Sequence, residues 1–202
     1  MKSYSVEEGE ELVKAARYAI ELFLKSPYFD RKIIYKKIEK FKDMSGAFVT
    51  LEHYPTGTLR GCIGFPLAIK PLYEAVVDAA ISAATEDPRF VPLSHVELAE
   101  ITIEVSILSK MEKITGKPEE IKEQVKVGRD GLFIEYGYYS GLLLPIVAVE
   151  EGWNSEEFLD NVCMKAGLPT HTWQRSDVSL YRFTTQIFRE IKPEDGVEEI
   201  KL

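Results

Sequence analysis

The segment Thr58-Leu59-Arg60-Gly61-Cys62-Ile63-Gly64-Phe65-Pro66 places one of the chain's two cysteines between two glycines, with an arginine two residues before it. A strand turns alternate side chains to opposite faces, so Arg60 and Cys62 are expected to point the same way. A guanidinium beside a thiol favours the thiolate, the form that attacks electrophiles and binds metals. Gly61 and Gly64 leave the backbone bare, so a ligand or another chain can come close. If Thr56-Gly57 forms a two-residue turn, His53 lies opposite Arg60 and Leu51 opposite Cys62, and His53 shares the face of the thiol. A three-residue loop with a bulge changes that parity and removes His53. The competing reading makes Cys62 a small core residue beside Val49 and Leu51, with the glycines serving tight sheet packing. Arg89 stands in a loop past a helix and a proline, where it either binds a carboxylate or phosphate or locks the fold by pairing with Asp87. Glu104 and Ser106 leave the apolar face of their strand together. No CxxC or HxxxH spacing links Cys62, Cys163, His53, His95 and His171, so no metal site is expected. No phosphate loop, nucleophile elbow or dinucleotide fingerprint occurs, and the sequence names no cofactor.

The elements that position these residues follow from capping and periodicity. Ser5-Val6-Glu7-Glu8 is a capping box, followed by Leu12, Ala15, Ala16, Ala19, Leu22 and Phe23 at helical spacing up to Ser26-Pro27. A basic stretch from Arg31 to Lys42 holds Ile33, Ile34, Ile38 and Phe41, and reads as a solvated connection with apolar anchors. A hairpin of residues 46–51 and 59–63, a helix over 72–86 and an alternating strand at 101–107 come next. The second half repeats this grammar. Residues 131–136 echo 46–51, Leu142 to Ile146 match Leu59 to Ile63, a helix spans 155–166 before Gly167, and Leu180 to Phe188 stands where Ile101 to Leu108 stood. An internal duplication over about 46–108 and 131–190 follows, with Cys62 and Pro145 at equivalent positions. Units of this kind bury their apolar faces against each other, so one joint α+β domain over 1–202 is expected rather than two separate ones. Cys163 lies among Phe158, Leu159, Val162 and Ala166 and reads as core, and Trp153 and Trp173 read as packing anchors.

Composition narrows the class. With 202 residues, 45% hydrophobic and 29% charged, the chain can bury a full core. A net charge of −8 argues against nucleic acid as a main partner, since phosphate binding needs a basic face. No apolar run reaches the roughly 20 residues of a membrane span, and the N-terminus does not read as a signal peptide, so neither a membrane partner nor export is expected. Two cysteines suit a reducing cytosol, hence a cytoplasmic location. Glu and Lys abound while Gln and Asn are scarce, a skew towards thermophilic proteins.

Arg60-Gly61-Cys62-Ile63-Gly64 after a short hairpin resembles the signature of the AMMECR-one (AMMECR1) domain family. Asp87-Pro88-Arg89-Phe90, Glu104-Val105-Ser106-Ile107-Leu108, Gly141-Leu142-Leu143-Leu144-Pro145, Gly152-Trp153 and Lys165-Ala166-Gly167-Leu168 fit the same family in order along the chain. The resemblance implies a cytosolic α+β domain in which two β–α repeats share one largely antiparallel, curved sheet. It supplies no established reaction. In some bacteria such domains accompany Memo-like and radical-SAM proteins, which implies partners in a redox or metal-linked pathway without defining a step. It also implies that Glu104 lines a cleft with Cys62 and Arg60. The chain departs from the family pattern at Ile146, where Gln is common.

Two functional readings result. In the first, a small anionic molecule binds in a cleft lined by Arg60, Gly61, Cys62, Gly64, Arg89 and Glu104. Cys62 is then nucleophile or ligand contact, Arg60 lowers its pKa and grips the anion, and Glu104 orients Arg60 or moves a proton. In the second, the motif is a packing device and the protein docks a partner through an apolar groove or sheet edge.

Overall fold

The capping box forms as read. In the computed structural model, which describes residues 3–201, Ser5 Oγ accepts the Glu8 N–H at 3.3 Å and Glu8 Oε2 accepts the Ser5 N–H at 3.0 Å. Along the chain the elements are α1 (Val6–Lys25), α2 (Lys32–Tyr35), β1 (Gly46–His53), β2 (Thr58–Phe65), α3 (Leu72–Thr85) and β3 (Ile101–Leu108). There follow β4 (Glu112–Ile114), α4 (Pro118–Gln124), β5 (Gly131–Tyr136), β6 (Tyr139–Leu143), α5 (Pro145–Glu150) and α6 (Ser155–Lys165). Strands β7 (Ser179–Phe183), β8 (Thr185–Lys192) and β9 (Asp195–Ile200) close the chain. They fall into two compact units: a larger one made of the segments up to Leu108 and Gln186–Lys201, and an inserted one, Ser109–Thr185.

The larger unit carries a five-stranded sheet in the order β2-β1-β3-β8-β9. Its first three strands are antiparallel neighbours, and alternation decides which side of each is core. Ala47, Val49, Leu51, Ile103, Val105 and Ile107 are fully buried in one cluster with Leu12, Ala16 and Ile20 of α1 and Ala75, Val76, Ala79 and Ala80 of α3. The alanine stripe of α3 lets the helix come so close that a Cβ on Gly61 would lie 2.2 Å from the carbonyl oxygen of Ala83. Beneath α1, Arg17 is buried against Glu190: Nε donates to Oε1 at 2.7 Å and Nη2 to Oε2 at 2.6 Å. Nη1 and Nη2 also reach the carbonyls of Leu98 and Ile101, and the Ile103 N–H donates to Glu190, so the buried charges are matched by hydrogen bonds. In the basic stretch Ile34, Ile38 and Phe41 are buried while Ile33 is exposed.

The inserted unit holds a four-stranded antiparallel sheet in the order β4-β7-β5-β6, covered by α6. Leu132, Ile134, Phe158, Leu159, Val162 and Cys163 form its core, and Trp173 is buried there as a packing anchor. The ends of the unit meet, the Ser109 N–H donating to the Thr184 carbonyl at 2.9 Å.

The α+β class is as expected, but the strands form two sheets rather than one shared sheet. The reason lies in the stretch Leu180 to Phe188, which breaks at Thr184: β7 before it pairs with β5, and β8 after it lies beside β3. The order β6-β5-β7 in the inserted unit matches β2-β1-β3 in the larger one. The matching glycines are Gly61 and Gly141, since a Cβ on Gly141 would lie 2.6 Å from the Ala166 nitrogen at the end of α6. Pro145 opens the short helix α5 and so holds no strand position like that of Cys62 on β2.

Candidate functional site

A bulge in the hairpin decides what stands beside Cys62. Thr50 pairs with Cys62 and Leu51 with Gly61, but Glu52 pairs with Leu59, so Arg60 is the extra residue of β2. Arg60 and Cys62 therefore do not share a face. The buried Arg60 side chain turns under the segment after α3, where Nε donates to Glu97 Oε1 at 3.1 Å and Nη2 to the Val91 carbonyl at 2.9 Å. His53 pairs with Thr58 and Ile101 and has the parity of Leu51, which removes it from the face of the thiol.

On the face turned away from α1 and α3, four strands contribute one polar row. Cys62 on β2 is opposite Thr50 on β1, and Thr50 is opposite Glu104 on β3. The Cys62 thiol and the Thr50 hydroxyl are 3.4 Å apart. Arg189 on β8 reaches Glu104 Oε2 through Nε at 2.8 Å and Nη2 at 2.6 Å, and the Ser106 hydroxyl donates to Glu104 Oε1 at 3.3 Å. Glu52 stands 3.9 Å from the same guanidinium. Glu104 and Ser106, on the face opposite the apolar core of β3, are themselves buried.

Asp87 and Arg89 close the edge of β2. Asp87 Oδ2 accepts the Cys62 backbone N–H at 2.9 Å, and Arg89 Nη2 donates to the Cys62 carbonyl at 3.5 Å. The two side chains form a fork, with Nε to Oδ1 at 2.9 Å and Nη2 to Oδ2 at 2.7 Å. Of the two roles read for Arg89, the pair with Asp87 is formed. It leaves the guanidinium about half exposed, with Nη1 outside the fork. The ring of Phe90 lies 5.5 Å from the Arg89 guanidinium carbon and 5.7 Å from that of Arg60.

The electrostatics follow from these positions. Burial pushes the Cys62 thiol above its ordinary pKa. The Thr50 hydrogen bond and the charge of Arg89 oppose the rise, while Glu104 and Asp87 add to it. Arg60 is not the group that acts on the thiol, and the resting thiol is neutral. The fork with Arg89 holds the Asp87 carboxyl well below the usual carboxylate range, and the N–H donors of Cys62 and Arg89 help. Space beside the two glycines is already taken by the chain itself. A Cβ on Gly64 would lie 2.4 Å from both the Ala47 carbonyl oxygen and the Phe48 ring, as one on Gly61 would strike Ala83.

Among the described residues no group of three or more His, Cys, Asp or Glu is placed to hold a metal ion, and no helix is long and apolar enough to cross a membrane. Sequence reasoning missed Thr50 and Arg189. Thr50 was legible once the register was known, because Phe48, Thr50 and Glu52 alternate with the core residues of β1. Nothing in the spacing links Arg189 to Cys62.

The model of one protein family, AMMECR1, matches residues 13–188 and so spans both units. The chain belongs to the AMMECR1 family. It is 49% identical over 204 residues to a protein of Methanocaldococcus jannaschii, covering both chains completely. It is 52% identical over 194 residues to one of Thermococcus gammatolerans, covering 95% of this chain and 94% of that one. The crystal structure of an uncharacterized protein from Pyrococcus horikoshii superposes with a TM-score of 0.91 at 47% identity, covering 97% of this chain and 98% of that one. These AMMECR1 relatives are proteins of thermophilic archaea.

Proposed function

We propose that this AMMECR1 protein binds a small anionic molecule at the Cys62 end of the polar row. Arg89 takes the anionic group through the part of its guanidinium outside the Asp87 fork, and Glu104 stands further along the same face. The observation behind this reading is the row of thiol, hydroxyl and carboxylate in register on β2, β1 and β3, joined by the Arg189 guanidinium of β8 through its hydrogen bond to Glu104. Buried polar groups of this kind are retained at a cost unless they are matched, and a merely structural sheet face has no need of them. Cys62 meets the ligand as a neutral thiol whose sulfur accepts the Thr50 hydroxyl hydrogen bond.

The test is an unfolding-temperature screen of inorganic phosphate and small mono- and dicarboxylates against the wild type, Arg89→Ala and Cys62→Ala. A stabilising anion whose effect disappears in Arg89→Ala supports the site. An effect that survives in Arg89→Ala, or no stabilising anion at millimolar concentrations, refutes it. The docking-module reading has one observation of its own: Leu67, Ile69, Val91 and Val96 are exposed close in sequence to the motif. A partner of the Memo-like or radical-SAM kind, suggested by the family, would meet the protein there.

A further inference from the structure

We propose that Asp87 is a positioning residue which, with Arg89, stands in for a missing neighbour strand at Cys62. It fixes the backbone of that residue and sets the guanidinium beside it. The part of the proposal that concerns the ligand rests on the anion-binding reading above. The backbone clamp stands without it.

β2 is an edge of the five-stranded sheet, and an edge strand turns alternate N–H and C=O groups outward with no strand to receive them. Cys62 is such a position, yet both of its outward groups are engaged by side chains. Its N–H donates to Asp87 Oδ2 at 2.9 Å and its carbonyl accepts from Arg89 Nη2 at 3.5 Å. A neighbouring strand would present one acceptor and one donor at these places, and the carboxylate–guanidinium fork presents the same pair. The fork is rigid for three reasons. Asp87 Oδ1 also takes the Arg89 backbone N–H at 3.1 Å, Pro88 between the two residues fixes its own φ, and the Asp87 side chain is only 2% exposed. Asp87 is thus buried in contact with Cys62, whereas Arg89 shows half of its surface to solvent. A carboxylate that only balanced the charge of Arg89 would have no need of the Cys62 amide. Here one oxygen, Oδ2, accepts from both.

Two readouts test this on the full chain. The first is hydrogen exchange of individual amides in the wild type and Asp87→Asn. The Cys62 amide is expected to be protected in the wild type, although it lies on an open edge. In Asp87→Asn it is expected to exchange at least about tenfold faster, with Val49 and Val105 unchanged. An unprotected Cys62 amide in the wild type, or unchanged protection in the variant, overturns the clamp. Should Asp87→Asn fail to fold, Arg89→Lys keeps the charge and removes the fork, and the same local acceleration is expected there.

The second readout is the ratio of Cys62 alkylation rates with iodoacetate and iodoacetamide at pH 9, normalised to the unfolded chain. Loosening of the structure speeds both reagents alike and leaves the ratio unmoved. Arg89→Ala and Asp87→Asn are both expected to lower it several-fold, because both take the guanidinium from its place. A ratio that rises in Asp87→Asn means that Asp87 is only a repelling charge, and overturns its positioning role. A wild type with no preference for the anionic reagent counts against the anion-binding reading itself, while amide exchange still decides the clamp.

Discussion

Replacing Gly61 by alanine puts a methyl group where the main chain of α3 already is. The added Cβ would lie 2.2 Å from the Ala83 carbonyl oxygen, 3.2 Å from its carbon and 3.6 Å from Leu51 Cδ1. Cβ contacts below 3.0 Å essentially do not occur, so β2 and α3 must part by close to an ångström. The obstacle is a helix carbonyl, which cannot rotate away as a side chain can. Overpacking of this kind costs about 1–3 kcal/mol. Alanine returns roughly 0.4–1 kcal/mol by restricting the unfolded chain, and the middle of the two ranges leaves a net loss of about 1.3 kcal/mol. Urea unfolding followed by far-UV circular dichroism measures it. Tryptophan fluorescence does not serve, because Trp153 and Trp173 both lie in the inserted unit. Gly57→Ala is the control: at φ +68° with nothing within 4 Å, it meets backbone strain without a clash. A Gly61→Ala variant with wild-type midpoint and slope refutes the packing explanation, and returns this glycine to the role of admitting a ligand.

Other perturbations test the remaining contacts. Alkylation of Cys62 is expected to keep accelerating above pH 9, and Thr50→Val moves that profile further up by removing the hydrogen bond that opposes burial. A fast plateau at neutral pH would contradict this. Cys163, whose thiol burial pushes up to about 11, stays silent in the same experiment until the chain unfolds. Glu190→Ala strands the Arg17 guanidinium in the core and is expected to destabilise the larger unit by about 3–5 kcal/mol, read from denaturant midpoints. Asp87 has a depressed carboxyl pKa in the folded state, so its stabilisation is complete above the ordinary Asp value of about 3.9 and is lost as pH falls below it. The stability gap between wild type and Asp87→Asn should therefore shrink from pH 5 to pH 2, and a constant gap would sink the assignment.

Local signals read well because they are local. The Ser5 capping box, the alanine stripe of α3 and the alternation of Ile103, Val105 and Ile107 each depend on residues within a few positions of one another. Parity in β2 failed for an equally local reason with no composition signal: a single extra residue at Arg60 moves that side chain away from Cys62 and takes Thr50, not Leu51, to the thiol's side. Arg189 and Glu104 meet only because β8 lies beside β3, a pairing across the inserted unit that spacing does not encode. The break at Thr184 was hidden because Leu180 to Phe188 reads as one strand by propensity, while its two halves belong to different sheets.

That break also bears on the entropy of assembling the larger sheet. β3 and β8 are neighbours, yet roughly 75 residues separate them, and closing such a loop as a random chain costs about 4 kcal/mol beyond a constant term. The inserted unit takes that term into its own folding, because its two ends finish on a shared hydrogen bond between Ser109 and Thr184. Once it has formed, the path from Leu108 to Gln186 is as short as a hairpin turn, and Arg189 is delivered to Glu104 without a further search. The chemistry of the polar row is in this sense conditional on a unit that contributes no residue to it.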